Sequence, residues 1–193
     1  MPKKILIING SPKKDGNTTV MVEWFKQGAA SKGADVEIVR SAFLKYKTPG
    51  CISCRACQKS AKYECCIEDE AKPVLAKMAE VDVIVFATPL YFFGPSAQLK
   101  LIFDRMFSLY KWDNDAGTME TPLTGKTLVL LASAFEDIGL DVLEKPFALT
   151  AQYTMMKFES VLVANAGVSG EIAKKWPKTR EKVIAIGSDI AQQ

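Results

Sequence analysis

A chain of 193 residues is long enough for one compact domain with a substantial core, and 48% hydrophobic with 24% charged residues is an ordinary soluble balance. The net charge of +3 is small and evenly spread, with Lys174, Lys175 and Lys178 scattered among apolar residues, which excludes a nucleic-acid surface. The chain has no histidine, which excludes a Ser-His-Asp triad, a Cys-His pair and an HExxH zinc site, so chemistry near neutral pH would come most easily from a bound cofactor.

The N-terminus MPKKILIING is basic and then apolar. Its apolar run ILII is too short for a signal peptide and no small-residue cleavage site follows it, so Lys4–Asn9 reads as a buried first strand. No apolar segment reaches the roughly 18 residues that cross a membrane. These features predict a cytoplasmic protein without a membrane partner.

A helix is expected over residues 18–31, where Val20, Met21, Trp24, Phe25 and Gly28-Ala29 recur at helical spacing behind Asn17 as N-cap. A short strand follows at 36–39, a helix at 70–80 and a buried strand at 81–87. The helix expected at 96–108 places Leu99, Ile102, Phe103 and Met106 on one face. Residues 111–122 are polar, with Gly and Pro, and read as a long loop. A strand at 127–132, a helix at 143–157, a strand at 160–164 and a helix at 179–191 complete the chain, with no internal repeat.

Five strands alternating with helices predict right-handed βαβ units around a parallel sheet. The expected fold is a doubly wound three-layer α/β domain occupying residues 1–193, with a cysteine-rich insertion at about 47–68. Ligands of such sheets sit beyond the carboxyl ends of the strands, where strand order reverses. The loops after the first, third and fourth strands are therefore the ones to read for function.

The first loop, GSPKKDGNTT (10–19), matches neither GxGxxG nor a P-loop. It gathers Ser11, Asn17, Thr18 and Thr19 at a helix N-terminus, where hydroxyls, free N–H groups and the helix dipole suit a phosphate monoester. Lys13 or Lys14 would add charge, and an ordinary capped turn would look the same. The loop after the third strand, ATPLYFFGPSAQLK (87–100), puts three aromatics at 91–93 between Pro89 and Gly94-Pro95. Proline and glycine there argue against continuing the strand or starting a helix, and an apolar loop with free amides suits a flat ring.

Together GSPKKDGNT, the cysteine run leading into IEDE, and ATPLYFFGPSAQLKLIFDR resemble the flavodoxin-like NAD(P)H-dependent FMN reductases. The likeness is strongest to the branch containing the iron–sulfur flavoproteins, and TPLYF…QLK…DR is its most specific block. The resemblance implies a flavodoxin-like fold that binds FMN, takes electrons from NAD(P)H and forms a homodimer or homotetramer. By position it assigns Ser11, Lys13, Asn17 and Thr18, with Thr19 beside them, to the FMN phosphate. Pro89, Leu90, Tyr91, Phe92 and Phe93 would line the isoalloxazine, and Ala132-Ser133-Ala134 would close the other side. Where many members have arginine, Lys13 keeps the charge without the bidentate fork. Asp104 and Arg105 read as structural ion-pair partners.

All five cysteines lie in CISCRACQKSAKYECC, residues 51–66. A C-x2-C-x2-C-x7-C spacing supplies four ligands for a 4Fe–4S cluster, and the resemblance points to Cys51, Cys54, Cys57 and Cys65, with Cys66 as the alternative fourth. Unligated thiols packed as small hydrophobes, a four-cysteine zinc site and a redox dithiol remain open readings. Three functions follow. The first is an FMN-dependent oxidoreductase passing electrons from NAD(P)H to a quinone, a flavin or another small acceptor. The second is an iron–sulfur electron carrier exchanging electrons with a ferredoxin-like partner. The third is a non-enzymatic flavin-binding regulatory protein.

Overall fold

The computed structural model describes residues 1–113 and 116–193. In chain order the elements are β1 (Lys4–Asn9), α1 (Asn17–Ser31), β2 (Asp35–Arg40), α2 (Ala71–Met78), β3 (Val83–Tyr91), β4 (Gly94–Pro95), α3 (Ala97–Phe103), β5 (Lys111–Asp113), β6 (Thr118–Glu120), β7 (Thr127–Ser133), α4 (Leu140–Tyr153), β8 (Lys157–Val163), α5 (Ile172–Lys175) and α6 (Pro177–Gln192). Five strands form the main parallel sheet in the order β2-β1-β3-β7-β8. The strand order reverses between β1 and β3, which is the flavodoxin-like arrangement and places a ligand crevice at their carboxyl ends.

Period-two alternation divides each central strand between two helical layers. Ile5, Ile7, Val83, Val85, Val129 and Leu131 pack under α1 and α6. Leu6, Ile8, Ile84, Phe86, Leu128 and Leu130 face the opposite layer, built from α2, α3 and α4. The central strands are buried on both sides and are therefore continuously apolar. The edge strand β2 alternates exposed with half-buried residues instead.

Several boundaries differ from the sequence expectation. The predicted loop at 111–122 contains an antiparallel ladder, Lys111↔Glu120 through Asp113↔Thr118; residues 114–115 lie outside the described residues. The helix expected at 143–157 is α4, which begins and ends earlier, so Lys157 opens β8. Around the aromatic triplet, β3 runs on through Tyr91 and doubles back, pairing Tyr91 with Gly94. Phe92 and Phe93 occupy the turn with φ of 50° and 68°, the two left-handed positions of a primed hairpin turn. That turn normally holds Asn-Gly, which is why two phenylalanines did not announce it.

α1 and α6 approach closely at two glycines. A Cβ on Gly28 would run into the carbonyl of Ile184, and one on Gly187 into the carbonyl of Phe25. These are backbone atoms and cannot rotate away. Gly28→Ala should gain about 1 kcal/mol of helix propensity and lose more through overpacking. The expected net result is a lowered urea midpoint, corresponding to about 1–2 kcal/mol.

Candidate functional site

The crevice at the β1/β3 reversal is a cleft of about 280 Å³. Its floor is the β1–α1 turn, whose conformation is held by its own polar groups. Asn9 Oδ1 accepts the Ser11 N–H (2.9 Å) and Asn9 Nδ2 donates to Thr19 Oγ1 (3.1 Å). The carbonyl of Lys13 accepts from Thr19 Oγ1 (3.0 Å) and from Arg40 Nη2 (2.8 Å). Gly10 is required at the base, because a Cβ there would lie 2.6 Å from Leu99 Cβ.

α1 then starts at the cleft with no side-chain cap and no acidic residue in its first turn. The first N–H groups of a helix have no intrahelical acceptor, and here they carry the positive end of the dipole toward the cleft. Ser11, Lys13, Gly16 and Thr18 line this part. A Cβ on Gly16 would come within 3.1 Å of Lys13 Cβ and 3.2 Å of Ser11 Oγ. The turn is thus a cradle for a small anion, and its donors fit a phosphate monoester.

The remainder of the cleft is lined mainly by apolar residues. Pro89, Leu90 and Tyr91 form one wall; Ser133, Ala134 and Phe135 after β7 form the other. Thr18 Oγ1 and Ser133 Oγ are hydrogen-bonded at 2.9 Å, tying the cradle to the second wall. Residues 166–169 close the third side. The arrangement suits a planar ring attached to a phosphate tail.

Of the residues singled out from the sequence, Ser11, Lys13, Asn17, Thr18, Pro89, Leu90, Tyr91 and Ser133 line this cleft. Thr19 is buried and its hydroxyl is engaged by Asn9 and Lys13. Ala132 faces the apolar layer of α2–α4, and its neighbour Ala134 lines the cleft instead. Phe92 is fully exposed, and Phe93 lies against Gly139. The hairpin carries both rings away from the cleft.

Asn17 is not the N-cap. That position is Gly16, and Asn17 is the first helical residue. Its Nδ2 lies 3.0 Å from the carbonyls of Ala166, Gly167 and Val168, and its Oδ1 accepts the Ile172 N–H at 3.3 Å. The side chain latches the last loop over the cleft, and its backbone N–H remains with the anion cradle. Gly16, Phe135 and 166–169 were missed from the sequence. NAGVSG after the last strand was a usable turn signal.

The cysteine segment forms a separate loop beside the sheet. Cys57 and Cys65 are buried, whereas Cys51, Cys54 and Cys66 are exposed. The sulfurs of Cys54 and Cys66 are 3.6 Å apart. The Ala56 N–H and the Cys66 thiol hold Cys54 below its ordinary pKa. Desolvation, with the Cys54 sulfur alongside, pushes Cys66 up to about 11. Among the described residues no group of three or more His, Cys, Asp or Glu side chains converges as a metal site requires.

A buried ion pair anchors this loop: Arg105 Nη1 donates to Asp69 Oδ2 at 2.8 Å, with side chains 0% and 2% exposed. Asp69 also accepts the N–H groups of Lys47 and Ala71. Burial alone would raise the Asp69 pKa, but Arg105 and these N–H groups outweigh it and hold the carboxyl below its ordinary value. Asp104 pairs with Lys100 on the surface, so both members of Asp104-Arg105 are ion-paired, as the sequence suggested.

A flavodoxin-like α/β domain is the class that this sheet order defines. The family model of NADPH-dependent FMN reductases matches residues 3–167, and the chain belongs to that family. An iron–sulfur flavoprotein of Methanocaldococcus jannaschii is 40% identical over 102 residues, covering 53% of this chain and 51% of its own. One from Archaeoglobus fulgidus is 36% identical over 102 residues, 53% of this chain and 48% of its own. The chain spans about half the length of the curated relatives it matches. Similar in fold is a Bacillus anthracis FMN-dependent NADH-azoreductase in complex with FMN (TM-score 0.70, 15% identity, 98% of this chain and 100% of that one). So is an NAD(P)H:quinone oxidoreductase from Methanothermobacter marburgensis (TM-score 0.68, 14% identity, 100% and 99%).

Three outcomes test the local architecture. Asn17→Ala should free the 166–172 loop, raising its amide hydrogen exchange about tenfold or more, since each lost hydrogen bond is worth about 1 kcal/mol. Arg105→Met leaves a buried carboxylate unpaired and should lower stability by about 3–5 kcal/mol in urea melts. The depressed Asp69 pKa stabilises the fold above the ordinary carboxyl value of 3.8, and that contribution is lost as pH falls through the lower folded value. Acidification below about pH 4 should therefore destabilise wild type more steeply than Arg105→Met.

Proposed function

We propose that residues 1–193 act as a single FMN-binding domain, with 47–68 as an insertion, and pass electrons from NAD(P)H through FMN to a small-molecule acceptor such as a quinone or another flavin. The observation that carries this reading is the uncapped α1 N-terminus opening into a cleft whose other residues include Pro89, Leu90, Tyr91, Ala134 and Phe135. Family membership supports it.

Bound FMN supplies hydride acceptance and electron transfer; the chain supplies position and field. The α1 dipole, the N–H groups of the cradle and the hydroxyls of Ser11 and Thr18 hold the phosphate, and Lys13 balances its charge. Pro89, Leu90 and Tyr91 would lie along one side of a bound ring. Ser133 and Ala134 bound the opposite side, and the loop latched by Asn17 limits water at the cleft mouth. With no histidine in the chain, no side chain of near-neutral intrinsic pKa is available to relay a proton.

Thiols gathered on one exposed loop suit a reducing cytoplasm. No helix among the described residues is long and apolar enough to cross a membrane. The exposed Phe92 and the exposed Val142, Leu149 and Tyr153 of α4 suit a homodimer or homotetramer.

A second reading, favoured by the names of the relatives, is an iron–sulfur flavoprotein that exchanges electrons with a ferredoxin-like protein. It would draw on the thiols of the 51–66 loop, Cys51, Cys54, Cys57 and Cys65, as cluster ligands.

Titration with FMN should quench flavin fluorescence at one FMN per chain, and NADH or NADPH should then bleach the flavin band anaerobically. Thr18→Val should weaken FMN binding about tenfold, the worth of a hydrogen bond to a charged group. Failure to bind FMN overturns the first reading. Iron and acid-labile sulfide retained after anaerobic reconstitution would establish the second.

A further inference from the structure

Cys54 and Cys66 stand out from the other thiols by position. Their sulfurs are 3.6 Å apart and both residues are exposed. Cys65 is buried within the apolar layer around α2–α4, and buried Cys57 has the Gln58 side-chain amide against its sulfur at 3.7 Å.

The backbone around Cys54 has an unusual shape. Ser53 and Arg55, on either side of it, both have φ of 55°. Left-handed conformations at two non-glycine residues turn the chain sharply before and after the cysteine. Cys66, in contrast, is mounted on a fixed segment. Its neighbour Cys65 is in the core, the Ile67 carbonyl accepts from Arg105 Nη2 at 3.4 Å, and Asp69 is locked in the buried ion pair. One thiol sits on a strained, exposed turn and the other on a rigid support facing it. A disulfide bond is about 2.0 Å long, so closure asks the sulfurs to approach by about 1.6 Å, within reach of side-chain rotation.

We propose that Cys54 and Cys66 are a reversible thiol–disulfide couple that reacts with low-molecular-weight disulfides. The thiolate of one cysteine attacks a sulfur of the small disulfide RSSR, forming a mixed disulfide and releasing one RS⁻. The thiolate of the second attacks the protein sulfur of that mixed disulfide, forming the Cys54–Cys66 bond and releasing the other RS⁻. The two thiol protons end on the two released thiolates, so two protein thiols and RSSR become one protein disulfide and two RSH. Exposure of both sulfurs lets a small dithiol reverse the reaction. The couple uses no flavin and stands whether or not FMN binds. While closed, it removes Cys54 from any metal ligand set, so the disulfide and a metal site using Cys54 exclude one another.

The test uses the full chain, reduced with dithiothreitol, desalted and then incubated with glutathione disulfide. Free thiols are alkylated and the protein is mapped by mass spectrometry without reduction, with iron measured in the same sample. The expected result is that two of the five cysteines escape alkylation and appear as a Cys54–Cys66 cross-link that dithiothreitol removes. Cys66→Ser should stop at a glutathione adduct on Cys54 that wild type does not retain. Four results overturn the proposal: all five cysteines alkylated, a cross-link between other cysteines, a persistent adduct on wild-type Cys54, or thiols shielded from both reagents by bound iron. The wild-type map decides even if the variant misfolds.

Discussion

Ser96 is the joint on which the site is assembled. Its hydroxyl donates to the Gly10 carbonyl at 2.7 Å and accepts the Leu99 N–H at 3.2 Å, while its own N–H donates to Thr88 Oγ1 at 2.9 Å. One buried residue, through its hydroxyl and its backbone N–H, thereby fastens the turn after β1, Thr88 of β3 and the start of α3. These three meet where the strand order reverses, the point at which backbone groups leave the sheet and lose their ladder partners. With Ser96 in place the Gly10 turn is held down and α1 can begin with its N–H groups directed outward. The anion cradle is thus a consequence of satisfying buried polar groups elsewhere.

Much of the framework was legible because it is written in long-range burial. ILII, VIVF and LVLL have the continuous apolar character of strands covered on both faces, and their alternation with helical patterns implies the parallel sheet. The turn at the α1 start was also readable, since Ser11, Thr18 and Lys13 sit beside a helix start and line one cleft. What escaped was set by tertiary contacts. Asn17 looks like a cap from its neighbours in sequence, yet its amide is spent on carbonyls about 150 residues away. The left-handed pair Phe92-Phe93 has no local signature, because aromatic residues are uncommon in such turns. Likewise each strand of the β5–β6 ladder is three residues long, too short for its alternation to separate it from a loop.

The cysteine run shows how spacing and placement diverge. Equal gaps of two residues suggest three corners of a polyhedron, but the chain buries Cys57 and Cys65 and leaves the other three outside. Close by, the Arg105 guanidinium enters the core and needs an anion and a carbonyl to be tolerated there. Asp69 and Ile67 provide them, which fixes the chain just after Cys65 and Cys66.

The glycine contact between α1 and α6 reaches beyond packing. The stretch shared with the reductase family stops at residue 167, well before α6, whereas the helix presenting the anion cradle leans on α6 through Gly28 and Gly187. The tail of the chain therefore sets how deeply that helix is seated. A chimera joining this cradle to another family member's C-terminal region would inherit a helix tuned to a different backstop. Its ligand affinity would depend on a graft junction far from any residue that touches the ligand.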